Sequence, residues 1–352
     1  MLESLTKELA ASHPLTNEQT GHAVELLTSQ KVSAPAKADF LTALAQKGET
    51  EEEIAAFAAA LREKSVRPPI EPAWRESVDI LDIVGTGGDR LGTFNISTTT
   101  AILCAAAGVP VAKHGNRAVT SQAGSADVLE ALGVRIDLTP AEAARSLREK
   151  NFAFFFAPNF HPAFKNIAPA RKLCAERGQR TIFNYLGPLL NPARPSAMLV
   201  GVPRCDLCEP IAKVLLTLGT RRAMVVCGKV PTTETDRQPA MIDELSTLSE
   251  NCIAEFYQER GFSASLLRLE NFPIQPARLA DLLGGDKQHN AEITRSILGG
   301  RDRGPKRDAV LLNASAALFV AGKTTSLVEG WELAEKVIDS GAAKAKLAEL
   351  AG

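Results

Sequence analysis

Apolar positions in the first 65 residues recur with a helical period. Ile54, Phe57, Ala58 and Leu61 fall at i, i+3, i+4 and i+7, and Thr50 and Glu53 stand before them at capping-box spacing. Segments around 18–27 and 36–45 carry the same one-sided pattern. The pattern stops at Arg67-Pro68-Pro69-Ile70-Glu71-Pro72, a stiff, extended stretch that reads as a linker between domains. Beyond it, short apolar runs alternate with helical periods. The runs predict strands at 80–84, 109–112, 152–157, 198–202 and 223–227, with helices at 98–108, 126–133, 140–150 and 207–218. Such alternation predicts an α/β fold, with a mostly parallel central sheet flanked by helices behind a small helical N-terminal domain. The Pro- and Gly-rich stretch 159–195 interrupts the alternation with more helical sequence and is expected to return to the first domain.

The first loop of the alternating part carries chemistry. Asp82-Ile83-Val84-Gly85-Thr86-Gly87-Gly88-Asp89 is a buried-strand pattern running into three glycines, which let the backbone turn sharply and offer bare N–H groups to an anion. Asn95 and Ser97 follow where a helix is predicted to start, adding its unpaired N–H groups. A glycine-rich turn alone is weak evidence, because such turns end many strands. A second strand, loop and helix deliver Lys113, Ser121, Gly124 and Ser125 to the same expected region.

Composition narrows the ligand. The 352 residues are 45% hydrophobic and 23% charged with net charge -1, so nothing suggests disorder, and no broad basic field exists to attract nucleic acid or an anionic membrane. A small anion held by local donors fits better. No N-terminal apolar core resembles a signal peptide and no run spans a bilayer, which makes the cytoplasm the expected location. Six scattered cysteines read as reduced packing residues; Cys205 and Cys208 have the spacing of half a zinc site, without a second pair nearby.

On these motifs the chain resembles the anthranilate phosphoribosyltransferase family, within the nucleoside phosphorylase-like phosphoribosyltransferases. The resemblance also rests on Lys113-His114-Gly115-Asn116-Arg117, Ala157-Pro158-Asn159-Phe160-His161-Pro162, the run 181–192 from Thr181-Ile182-Phe183-Asn184 to Leu190-Asn191-Pro192, and Leu311-Leu312-Asn313-Ala314. It implies transfer of the phosphoribosyl group of phosphoribosyl pyrophosphate to the amine of anthranilate, the second step of tryptophan biosynthesis from chorismate, with magnesium, two ions in the family, and a homodimer joined through the helical domain. The implied domains are 1–72 with about 165–195, and 73–164 with 196–352. The implied donor residues are Gly85, Gly88, Asp89, Thr93, Asn95, Ile96, Ser97, Thr98, Lys113, Ser121 and Ser125. Gly85, His114, Asn116 and Arg171 are implied for anthranilate, and Ser97, Asp243 and Glu244 for metal.

The chemistry suits those residue types. Pyrophosphate leaves as concentrated negative charge while the ribose becomes cation-like, so donors and metal matter more than a nucleophile. The anthranilate amine is neutral at pH 7, so His114 is read as an orienting residue and no general acid or base is assigned. His161 is read as structural. Composition alone would make Arg171 a surface helix charge and Asp243-Glu244 a solvated pair. Arg177 and Arg180 are rivals of Arg171, and Glu234 and Asp236 rivals of the acidic pair. A related transferase or nucleoside phosphorylase with another aromatic acceptor is the alternative activity; a non-enzymatic nucleic-acid-binding relative is a third.

Overall fold

The computed structural model describes residues 2–118, 122–231, 240–257 and 261–352. The amphipathic opening folds as α1 (Leu2–Ala10), α2 (Asn17–Thr28), α3 (Ala34–Lys47) and α4 (Glu51–Glu63). The capping box at α4 forms, with Glu53 N–H donating to Thr50 Oγ1 at 3.2 Å and Thr50 N–H to Glu53 Oε2 at 2.9 Å. Glu53 is buried, and its charge is compensated by Lys47 at 2.7 Å and the Leu15 N–H at 2.9 Å, as a buried carboxylate requires. The proline stretch stays extended only to residue 71: Pro72 opens α5 (Pro72–Ser77), where its missing N–H costs nothing.

The remainder alternates as β1 (Leu81–Gly85), α6 (Ile96–Ala106), β2 (Val111–Gly115), α7 (Ser125–Ala131), α8 (Pro140–Lys150) and β3 (Phe152–Phe156). Then come α9 (Ala157–Phe160), α10 (Ala168–Glu176), α11 (Phe183–Leu189), β4 (Ala197–Gly201), α12 (Cys208–Thr217) and β5 (Arg222–Lys229). Among the described residues the sheet has eight strands. Five run parallel in the order β3-β2-β1-β4-β5. Antiparallel β7 (Asn251–Tyr257) and β8 (Gly261–Leu267) extend one edge, and the short β6 (Met241–Ile242) also pairs with β5. These last three were not expected from the sequence: β8 is exposed along most of its length, so it lacks the buried apolar run that marks the parallel strands.

Period-2 alternation sends successive strand residues to two different cores. Ala197, Leu199, Met224 and Val226 pack with α6, α13 (Lys287–Leu298), α14 (Pro305–Val320), α15 (Leu327–Asp339) and α16 (Ala342–Ala351). Met198, Val200, Ala223 and Val225 pack with α12 and the N-terminal helices. The stretch 159–195 joins this second core: Cys174 on α10 lies against Ala38 of α3, and Lys37 Nζ donates to Asn166 O at 2.8 Å.

Two element boundaries matter for the site. The second strand runs 111–115 rather than 109–112, which puts Lys113 and His114 in the sheet, and α6 starts two residues earlier than expected, which puts Ser97 and Thr98 in its first turn. The expectation of six reduced cysteines fails. Cys205, after β4, is disulfide-bonded to Cys252 on β7, with Cα atoms 5.6 Å apart, although 47 residues separate them in sequence. Cys205 therefore has no free thiolate for a half zinc site, while Cys208 is buried and free. No helix among the described residues is long and apolar enough to cross a membrane.

Candidate active site

The site lies at the carboxyl ends of β1, β2, β4 and β5, where α/β sheets open toward ligands. Gly87 and Gly88 have φ of +74° and +91° with open space where a Cβ would stand, so a side chain there costs backbone strain rather than collision. Gly85 and Gly201 face the opposite limit: a Cβ would lie 2.3 Å from Asp243 Oδ2 and 1.6 Å from Asp243 O. The acidic segment is seated on strand ends that must lack side chains.

Asp243 and Glu244 thereby meet the glycine turn and the start of α6. Asp243 Oδ2 accepts the Gly87 N–H at 2.6 Å, and Glu244 Oε1 accepts the Ser97 N–H at 3.1 Å. Burial, then the nearby Asp89 and Glu244 charges, hold the Asp243 carboxyl well above its usual range. Burial raises Glu244 to about 7, against the pull of Lys113. Three carboxyl groups, each only partly exposed and close enough to repel one another, suit a hard cation, which would relieve that repulsion. Among the described residues no three His, Cys, Asp or Glu side chains form a complete cage, so substrate and water oxygens would fill out the coordination.

Lys113 is buried, its Nζ donating to Ile83 O at 2.7 Å and lying 3.3 Å from Ser97 Oγ. Desolvation lowers its pKa, opposed by Asp82 and Glu244. Asp82, fully buried beneath it and raised by burial to about 6, accepts from Asn191 Nδ2 at 2.8 Å. Asp89 Oδ1 accepts the Leu91 N–H at 3.1 Å, the kind of N–H contact that a carboxylate near phosphate needs. Asn95 bridges Ala123 O (3.2 Å) and Asn290 Nδ2 (2.9 Å). Thr93 bridges backbone to Leu283. Ser125 Oγ lies 3.4 Å from Asn116 O. Two donor-side residues turn inward: the side chains of Ile96 and Thr98 are buried, and the Ile96 N–H goes to Phe94 O at 2.7 Å. Ser121, Glu234 and Asp236 lie outside the described residues.

Beside this donor side a cavity of about 650 Å³ opens between the sheet and α9–α11. Gly85, His114, Asn116 and Arg171 all line it. Arg171 lies over the Phe183 ring at 5.2 Å. Its rivals are elsewhere: Arg177 pairs with Asp39 at 3.3 Å, and neither it nor Arg180 lines the cavity. Residues 171–180 run along the second half of α10 and into the turn after it. His114 is a buried strand residue rather than a loop residue, with Nδ1 3.2 Å from Gly187 O and its ring 5.2 Å from the His161 ring. Burial lowers His114 to about 3 and His161 to about 4, which keeps both rings neutral and makes His114 a poor proton acceptor.

Sequence reasoning assigned no site role to Asp82, Asn191, Asn290, Gly201 or Phe183. One signal was available: a lone polar residue in an apolar run, such as Asn313 after Leu311-Leu312, needs a buried partner.

Two models of one glycosyl transferase family match the chain, the helical bundle domain over residues 3–65 and the a/b domain over 77–344. An anthranilate phosphoribosyltransferase of Lacticaseibacillus paracasei is 44% identical over 99% of this chain and 96% of its own length. The chain belongs to the anthranilate phosphoribosyltransferase family. A solved family member from Thermus thermophilus superposes with a TM-score of 0.86 at 40% identity, covering 99% of this chain and 98% of its own. The Saccharomyces cerevisiae family member, solved in complex with PRPP and Mg, superposes at 0.84 with 27% identity, over 99% and 96% of the two chains.

Proposed function

We propose that this chain transfers the phosphoribosyl group of phosphoribosyl pyrophosphate to the amine of anthranilate and releases pyrophosphate. One observation carries the reading: a glycine turn facing an acidic pair opens directly beside a cavity lined by Asn116 and Arg171. Gly85, Gly88, Asp89, Thr93, Asn95 and Ser125 cradle the donor, with Lys113 behind them supplying positive charge. Thr98 contributes through backbone at the start of α6 rather than through its side chain, and Ile96, whose N–H is held by Phe94 O, packs beneath that turn. Asn116 and the Arg171 guanidinium orient the anthranilate carboxylate, and neutral His114 shapes the cavity wall without taking the amine proton. The reading includes two magnesium ions, one reached by Ser97 and one by Asp243 and Glu244. When bound, magnesium offsets the charge that develops on departing pyrophosphate.

The domain division 1–72 with about 165–195 belongs to the same reading, as do a homodimer joined through the helical unit and a cytoplasmic location. The test is loss of anthranilate fluorescence with phosphoribosyl pyrophosphate and magnesium, beside a no-metal control and Gly88→Ala. Magnesium-dependent loss that falls at least ~10-fold in the variant supports the reading, since a strained φ costs about 1–2 kcal/mol. Donor binding without anthranilate loss would mean another acceptor.

A further inference from the structure

The acidic segment 243–246 is not a strand of the sheet, yet its backbone is paired like one. Leu245, next after Glu244, donates its N–H to Asn313 Oδ1 at 3.0 Å and receives Asn313 Nδ2 on its carbonyl at 2.9 Å. Ser246 repeats the arrangement with a different residue: its N–H goes to Asn251 Oδ1 at 2.6 Å, and its carbonyl accepts from Asn251 Nδ2 at 3.1 Å. Both asparagines are fully buried. Asn313 comes from α14 and also bonds Ala309 O at 2.9 Å; Asn251 comes from the first residue of β7 and reaches Ser249 O at 3.3 Å. Each amide presents one donor and one acceptor to a single peptide residue, as a neighbouring strand would.

The clamp acts on a segment with a reason to move. Asp243 and Glu244 are adjacent in the chain and both feel the Asp89 carboxylate, so ionised carboxylates placed there repel one another. Glycine contacts hold the segment from the sheet side: a Cβ on Gly201 or Gly228 would lie 1.6 Å from Asp243 O or 2.7 Å from Glu244 O. Those contacts set how closely it approaches but do not stop it from sliding or lifting. The two amides supply that restraint, because hydrogen bonds to both groups of consecutive residues fix direction as well as distance.

From this geometry we propose that Asn313 and Asn251 are positioning residues for the acidic pair, presetting Asp243 and Glu244 for the metal–pyrophosphate complex. The proposal rests on the reading of that pair as metal-holding.

The experiment titrates Mn2+ in the presence of phosphoribosyl pyrophosphate, reading free Mn2+ by electron paramagnetic resonance, for the wild type, Glu244→Gln, Asn313→Ala, Asn313→Asp and the Asn313→Ala/Glu244→Gln double variant. Circular dichroism selects the folded proteins. Asn313→Ala is expected to weaken Mn2+ at least ~10-fold in the wild type and by well under that on the Glu244→Gln background, so that the double variant loses less than the sum of the two single effects. Asn313→Asp keeps an acceptor for the Leu245 N–H and is expected to recover part of the loss. Steady-state kinetics should show a lower kcat at fixed magnesium with an unchanged KM for anthranilate. Unchanged Mn2+ affinity in folded Asn313→Ala, or an Asn313→Asp variant that loses as much as Asn313→Ala, alongside weakened binding in Glu244→Gln, overturns the positioning role. Unchanged affinity in Glu244→Gln itself would instead overturn the reading of the acidic pair.

Discussion

The donor side and the acceptor cavity share Gly85 but are built by opposite means. The donor side is mostly backbone, taken from short consecutive stretches: a turn with two positive-φ glycines, the first turn of α6, and an acidic segment laid across glycine strand ends. The cavity is mostly side chain, gathered from the ends of β1 and β2 and from the stretch α9 to α11, and its lining is more apolar than polar. A diphosphate needs many N–H donors and cations close to the main chain, which only glycine permits. A flat aromatic acid needs an apolar slot with one or two polar anchors. Changes on the donor side should therefore fail steeply and all at once, whereas changes in the cavity should be graded and confined to one substrate.

The strongest attack on that contrast is Gly201→Ala, whose methyl would sit 1.6 Å from Asp243 O. We expect turnover to fall by about 100-fold or more, near 2.7 kcal/mol of transition-state stabilisation, with anthranilate protection of the cavity retained. A variant with normal turnover would show that the acidic segment tolerates displacement.

Next in size is the pH response of the cavity wall. His114 is lowered to about 3 in the fold against an ordinary value near 6.5. A depressed histidine leaves its stability contribution complete above pH 6.5 and loses it as pH falls toward 3, because the unfolded chain takes up the proton first. At pH 5 the loss from this group is about 2 kcal/mol, measurable as a urea midpoint that His114→Gln makes less sensitive to acid. The His114 ring resonances should not titrate between pH 5 and 8. If they do, the cavity wall is wetter than its burial implies.

The smallest expected effect is Arg171→Ala, which should raise the KM for anthranilate ~10-fold and leave the KM for the donor unchanged. An equal change in both constants would erase the division between the two sides. An unchanged acceptor constant would move the carboxylate anchor to another cavity residue.

Legibility followed the same division. Gly85 to Asp89 and Asn95 to Ser97 were readable because turn chemistry and helix starts are local. The α4 capping box was readable for the same reason. Arg171 was ambiguous between a surface charge and a ligand, since its position over Phe183 in the cavity depends on how α10 packs. Thr98 and Ile96 look like ligands in a motif, but burial removes their side chains from the site. The Cys205–Cys252 bond was missed because 47 residues of sequence separate a turn after β4 from a strand, β7, that the fold brings to a Cα–Cα distance of 5.6 Å.

By itself, the sequence determined the alternation that makes an α/β sheet, the helical opening, the glycine turn after β1 and, through long shared motifs, the family. Local rules suffice for these, because periodicity, turn preference and capping act within a few residues. Only the tertiary structure decided that Asp243 and Glu244 meet the glycine turn, that Asn313 and Asn251 bond the next two residues, Leu245 and Ser246, and that Lys113 and His114 are buried. Each of these depends on strand register and on contacts between residues far apart in the chain, and their protonation depends on the burial that those contacts create.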